Sequence, residues 1–288
     1  MAGTLPFRRV AIIGTGLIGG SFALALRKYF PDIFIIGYDR PDVRQAAVAR
    51  GAINEAASDL PGALLGADLV YLALPIVPTL ELLPHIAKHA GPGALVTDAC
   101  STKSVICRTA REAFRGGAQF LGGHPMAGKE QSGIEYADAE LFHGAPYVLM
   151  GAAGTAYPRA ELFAETLVAI GAKPVWCDAE THDWAVGIAS HLPQIVSVAL
   201  ARVVSDETDE TGLPLSLAGP GLQDMLRLAG SPYSVWRDIL LTNTENVSRA
   251  LDRLAQTIDY LRTRLATKEL EQEFRAANEI YRQLQKPR

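Results

Sequence analysis

The chain has 288 residues, 49% of them hydrophobic and 20% charged, with a formal net charge of −4. That is an ordinary globular composition with room for two modest domains, and the acidic balance argues against a nucleic-acid partner. No stretch reaches the roughly 18 uninterrupted apolar residues of a membrane span, and the apolar run near the N-terminus is too short for a signal sequence, so no membrane partner is expected.

Cys100, Cys107 and Cys177 are odd in number and widely spaced. They suggest neither a disulfide framework nor a zinc site. The expectation is reduced thiols in a cytoplasmic protein, with no metal.

The first half alternates short apolar runs with helical patterns. Val10–Ile13 reads as a strand, Leu17–Tyr29 as a helix, Ile33–Tyr38 as a strand and Val43–Arg50 as a helix. Further strands are expected at Leu69–Leu74, Leu95–Thr97, Gln119–Gly122, Pro146–Met150 and Lys173–Cys177. Strands separated by helices imply parallel pairing, and continuous apolar runs imply burial on both faces.

After Asp178 the strand signals stop. His182–Val204 reads as a helix that Pro193 should kink or break. Gly212–Gly221 reads as a loop. From Trp236 to Leu265, apolar residues recur at helical spacing, and Thr267 can cap a last helix. The expected fold is α/β, with a Rossmann-type domain over 1–178 and an all-helical domain over 179–288. Amphipathic helices with little else to cover them predict a homodimer.

Gly14-x-Gly16-x-x-Gly19 follows the first strand and opens the first helix, so Leu17 and Ile18 lie on its first turn. In that context the pattern is a dinucleotide-binding loop: a tight turn, close backbone approach to a pyrophosphate, and close helix–strand packing. The helix N-terminus offers N–H groups to the phosphates. Asp39, at the end of the second strand, suits ribose hydroxyls and repels a 2′-phosphate. NAD is therefore expected; Arg40 beside it keeps NADP open. Leu74 and Pro75, at the exit of the next strand, should border the nicotinamide.

Three segments carry chemistry: Asp98-x-x-Ser101-x-Lys103, the run from Gly122 through His124-Pro-Met-Ala-Gly128 to Gly133, and Ser190-His191-Leu-Pro-Gln194. With the glycine loop and the later Arg227–Asp238 and Asn243-x-x-Asn246 segments, this order resembles the prephenate/arogenate (cyclohexadienyl) dehydrogenase family over nearly the whole chain. The resemblance implies a small-molecule substrate and NAD-dependent oxidative decarboxylation, of prephenate to 4-hydroxyphenylpyruvate or of arogenate to tyrosine. It implies His124 as the base, suited by its near-neutral pKa, with Ser101 as its hydrogen-bonding partner. It further implies His191, Arg227, Trp236, Gln194, Lys129 and Glu130 around the substrate. His182 has no motif around it and receives no role. The length leaves no room for the chorismate mutase or regulatory domains that some members carry, so any tyrosine inhibition is expected at the active site.

Two other readings compete. A β-hydroxyacid dehydrogenase would need a Gly-x-x-x-Lys-x-x-x-Asn helix, yet Gly187-x-x-x-His191-x-x-x-Ile195 stands there. A non-catalytic NAD sensor would have no need of Ser101, His124 and His191 together.

Overall fold

A computed structural model describes residues 7–129, 131–151 and 157–285. The N-terminal half runs β1 (Arg9–Ile13), α1 (Leu17–Tyr29), β2 (Phe34–Tyr38), α2 (Pro41–Ala49), β3 (Glu55–Ala56), α3 (Leu60–Leu64), β4 (Leu69–Leu72), α4 (Ile76–His89), β5 (Leu95–Asp98), α5 (Ser104–Ala113) and β6 (Gln119–Leu121). These strands form one parallel sheet in the order β3-β2-β1-β4-β5-β6. The chain order reverses between β1 and β4, so the crevice at their carboxyl ends is where an α/β sheet takes a ligand. Val10–Ile13, Leu69–Leu72 and Leu95–Val96 are fully buried, because helices cover both faces.

The later strands depart from the all-parallel expectation. β7 (Gly123–Pro125), β8 (Pro146–Met150) and β9 (Lys173–Cys177) form a separate three-stranded sheet. β7 pairs antiparallel with β8, and β8 parallel with β9 across α6 (Pro158–Ala169). Long loops join β7 to β8, so no crossover helix forces them parallel. The two sheets share a core: Phe22 stacks on Tyr71 with ring centroids 4.0 Å apart, and the Tyr147 hydroxyl donates to the Tyr71 oxygen at 3.0 Å.

The rest is helical: α7 (Ala179–Val186), α8 (Leu192–Glu207), α9 (Leu213–Ser216), α10 (Pro220–Leu226), α11 (Tyr233–Thr242), α12 (Thr244–Arg262) and α13 (Leu270–Gln285). The expected Gly212–Gly221 loop thus contains α9 and the start of α10. The run from Trp236 divides at Asn243, whose φ of −129° is not helical. Pro193 does not break its helix; the chain stays helical from the π turn through Leu192, and Pro193 sits in the first turn of α8. The irregularity lies just before it, a π turn over Gly187–His191 in which the Leu192 N–H reaches the Gly187 carbonyl.

By length and composition, Ala179–Glu207 could cross a bilayer (mean hydropathy 1.4). Its His182, Asp183, His191 and Gln194 are all buried. Trp184, Ile188, Val198 and Val203 on the same run are exposed.

Candidate active site

The glycine loop is built as its sequence requires. Gly14 has a φ of +95°, and a Cβ there would stand 2.4 Å from the Ala73 carbonyl oxygen. A Cβ on Gly19 would stand 1.9 Å from the Gly14 oxygen. A Cβ on Gly16, by contrast, would meet no protein atom within 4 Å. That open space lies at the N-terminus of α1, which no side chain caps. The first N–H groups of Leu17, Ile18 and Gly19 face a place suited to a pyrophosphate. Asp39 Oδ2 accepts from Thr15 N at 2.7 Å and its Oδ1 from Arg40 N at 2.7 Å. The carboxylate thus steadies the loop from the end of β2.

Beyond the loop lies a cavity of about 380 Å³ lined by Ile18, Leu74, Pro75 and Ser101 on one side, and by Val235 and Asp238 of α11 on the other. Asp238 Oδ2 accepts from Val77 N at 3.3 Å, and Thr242 Oγ1 lies 2.7 Å from Thr102 Oγ1. These bonds dock α11 over the carboxyl ends of β4 and β5.

Asp98, the last residue of β5, and Lys103, just before α5, are fully buried and paired. Lys103 Nζ also donates to the Gly123 carbonyl at 2.8 Å, and Asp98 Oδ1 accepts from Gly123 N at 3.2 Å. Burial opposes the lysine's charge most strongly, but the Asp98 carboxylate together with Cys100 and Cys107 outweighs it and raises the ammonium pKa. The pair clamps both backbone groups of the residue before His124.

His124 lies on β7 and is 9% exposed. Its Nδ1 stands 2.9 Å from His182 Nε2, and His182 Nδ1 stands 2.8 Å from Asp183 Oδ1. Among the described residues no hydrogen bond joins His124 to Ser101, which corrects the expected pairing: His182, entering from α7, takes the nitrogen. Burial, then the neighbouring His182, Lys103 and His191, holds the His124 pKa well below the usual imidazole range. His191 is 1% exposed. Burial pushes its pKa down to about 4 against the attraction of Asp183. Its ring meets Trp236 edge-on, with centroids 5.9 Å apart.

A second cavity, about 400 Å³, is lined by Gly128, Lys129, Gln194, Arg227, Ser231 and Trp236, among others. Gln194 Nε2 donates to the Leu228 carbonyl at 2.9 Å, and Trp236 Nε1 donates to Ser231 Oγ at 2.9 Å. Both polar groups therefore shape the wall. Lys129 Nζ reaches Tyr136 O at 3.1 Å and Asp138 Oδ2 at 3.2 Å. Glu130 lies outside the described residues.

Sequence reasoning missed His182 and Asp183. The only signal was a His-Asp dipeptide at the head of the helical segment. It also left Asn243 without a role, although Asn243 Nδ2 lies 3.1 Å from His191 Nδ1.

Residues 22–176 match the nucleotide-binding domain of prephenate dehydrogenase, and residues 178–279 its dimerization domain. A prephenate dehydrogenase of Lactococcus lactis is 36% identical over 91% of this chain and 72% of its own. The chain belongs to the prephenate dehydrogenase family. Among solved structures of that family, Aquifex aeolicus prephenate dehydrogenase, in complex with hydroxyphenyl propionate and NAD+, superposes with a TM-score of 0.90. It is 29% identical, over 98% of this chain and 100% of that one. Synechocystis arogenate dehydrogenase gives a TM-score of 0.81 at 32% identity, over 95% and 99%. The protein is an oxidoreductase of this family, and its helical half corresponds to the family's dimerization domain.

Proposed function

We propose that the protein oxidises prephenate, or its amino analogue arogenate, with NAD as acceptor, releasing carbon dioxide and an aromatic product. The observation that carries this reading is a buried histidine, His124, held on a strand next to the crevice of a dinucleotide fold. NAD, when bound along Gly14, Gly16, Leu17, Ile18, Gly19 and Asp39, supplies the hydride acceptor, with Leu74 and Pro75 beside its nicotinamide.

His124 takes the proton of the substrate's C4 hydroxyl as C4 loses its hydride. The C1 carboxylate leaves as carbon dioxide, its bonding electrons complete the aromatic ring, and the C4 oxygen takes the proton back from His124 to give the phenol. Burial keeps the His124 ring neutral at neutral pH, with a free nitrogen to take that proton, although the lowered pKa makes it a weaker base than an ordinary imidazole. Ser101, on the cofactor-side cavity, orients the C4 hydroxyl. Arg227 and Lys129 supply positive charge for the substrate carboxylates; an Arg fork suits a planar anion. His191 and Trp236 bound the ring pocket, and Gln194 holds the turn that presents Arg227. Glu130 is assigned to the entrance by family resemblance alone.

We divide the chain functionally at residue 178, between β9 and α7. The exposed Trp184, Ile188, Val198 and Val203 support a partner-subunit surface, so the working form is a homodimer. Cys100, Cys107 and Cys177 are all free, which supports a cytoplasmic location.

The test is a steady-state assay crossing prephenate and arogenate with NAD and NADP. NADH formation with at least one substrate, and preference for NAD, are expected. Absence of turnover with both substrates would overturn the reading.

A further inference from the structure

His182 and Asp183 lie on α7 next to His124, and neither lines the two cavities. Asp183 is 1% exposed, and it is saturated with donors: Oδ1 accepts from Lys103 N at 2.7 Å and Oδ2 from Ser104 N at 2.8 Å. Burial works against its charge, but bonds from His182, Ser104 and Lys103 prevail and keep its pKa below the usual carboxylate value. An ionised carboxylate only accepts hydrogen bonds. The atom of His182 that faces it, Nδ1 at 2.8 Å, therefore carries a hydrogen. In a neutral imidazole the other nitrogen is then bare. That nitrogen, Nε2, stands 2.9 Å from His124 Nδ1, so the hydrogen between the two rings belongs to His124.

From this chain of contacts we infer that His182, fixed by Asp183, is a positioning residue that sets the tautomer of His124, placing the hydrogen on Nδ1 and leaving Nε2 as the bare, proton-accepting atom. The inference rests on the proposed role of His124 as the base. Isolated imidazoles place the hydrogen on either nitrogen, and the hydrogen bond made by one nitrogen decides which form is present. The arrangement resembles in logic the acid that holds a catalytic histidine in a serine-protease triad, with one imidazole interposed. When His124 receives the C4 hydroxyl proton on Nε2, its Nδ1–H is already donated to His182. The new positive charge then lies two hydrogen bonds from the Asp183 carboxylate. No proton has to move along the chain.

The decisive measurement is a long-range ¹H–¹⁵N correlation spectrum of the full-length protein labelled with ring-¹⁵N histidine, recorded at neutral pH with NAD present. We expect His124 to show a protonated Nδ1 and a bare Nε2, and His182 the same. A His124 signal with the hydrogen on Nε2, or a doubly protonated His182, would overturn the inference.

Two variants extend the test to turnover. His182→Phe removes the acceptor and should lower kcat by at least about 10²-fold with the KM for substrate changed little; losing the correct tautomer in the serine-protease triad costs about 10⁴-fold. His182→Gln offers a carbonyl to the same Nδ1–H and should recover a large part of kcat. An unchanged kcat in His182→Phe would overturn the inference. A folded wild-type protein that shows the expected tautomer yet turns over neither substrate would defeat the functional reading and leave this inference standing.

Discussion

Asn243 Nδ2 donates to the Asp183 carbonyl at 2.8 Å and lies 3.1 Å from His191 Nδ1. Because a carbonyl only accepts, the Asn243 atom beside it must be the amide nitrogen. Asn246 Nδ2, donating to Asn243 Oδ1 at 2.8 Å, fixes the same orientation. His191 Nδ1 is thus an acceptor, and in the neutral ring Nε2 carries the hydrogen. The two imidazoles are set in opposite senses. His124 keeps a bare Nε2, and His191 carries its hydrogen on Nε2, a donor that would suit a carboxylate or keto oxygen.

Replacing Asn243 with Ala should release His191 and orphan the Asp183 carbonyl. The expected result is a rise of about 5- to 30-fold in substrate KM, the equivalent of 1–2 kcal/mol for a lost buried hydrogen bond, with a smaller effect on kcat. Initial-rate kinetics with saturating NAD read both. A fall confined to kcat would place His191 in the chemical step instead.

The depressed pKa of His124 gives a pH signature. Only the neutral ring can accept the hydroxyl proton, and burial keeps it neutral well below 6.5. The kcat profile should therefore stay flat through pH 6.5, where an ordinary imidazole is half protonated, and fall only at lower pH. A midpoint at 6.5 would show a solvated histidine.

His191 makes the corresponding prediction for stability. Its folded pKa, about 4, lies below the unfolded value of 6.5. As pH falls through 6.5 the unfolded chain takes up a proton that the folded chain does not, so stability declines down to about pH 4 and then levels. The shift corresponds to about 3 kcal/mol over that window. Urea denaturation of wild type and His191→Asn should differ in slope against pH between 4 and 6.5. Parallel curves would contradict the assignment.

Lys103→Met leaves Asp98 charged and buried beside Gly123. Breaking a buried pair in this way costs about 3–5 kcal/mol, and the strand that carries His124 loses its clamp. A lower denaturation midpoint and reduced kcat should appear together. Loss of kcat with stability unchanged would mean that the pair acts on the chemistry without holding the fold.

Asp39→Ser should weaken NAD binding and narrow the preference for NAD over NADP, since the carboxylate both receives ribose hydroxyls and repels a 2′-phosphate. Arg40 remains to meet that phosphate. The ratio of kcat/KM values for the two cofactors is the measurement, and an unchanged ratio would remove Asp39 from cofactor choice.

Much of the fold was legible because its signals are local. The glycines at 14, 16 and 19, the apolar run before them and Asp39 after them lie within one βαβ unit. The second sheet was not legible: β7 is three residues long and its antiparallel partner begins 21 residues later, after a loop whose course no periodicity announces. Trp236 and Ser101 were both recognisable as site candidates, yet they line different cavities, a separation set by how α11 docks on α4. His182 was passed over because its meaning comes from contact with His124, 58 residues away in sequence. Only the packing of α7 against the β5–α5 turn creates that contact.

The central claim is that His124 is the base, and His124→Asn tests it most directly. Turnover of prephenate or arogenate should fall by about 10²–10⁴-fold, as for loss of a general base, while NAD affinity, read by fluorescence titration, stays within a few-fold of wild type. Turnover equal to that of the wild-type protein would contradict the account.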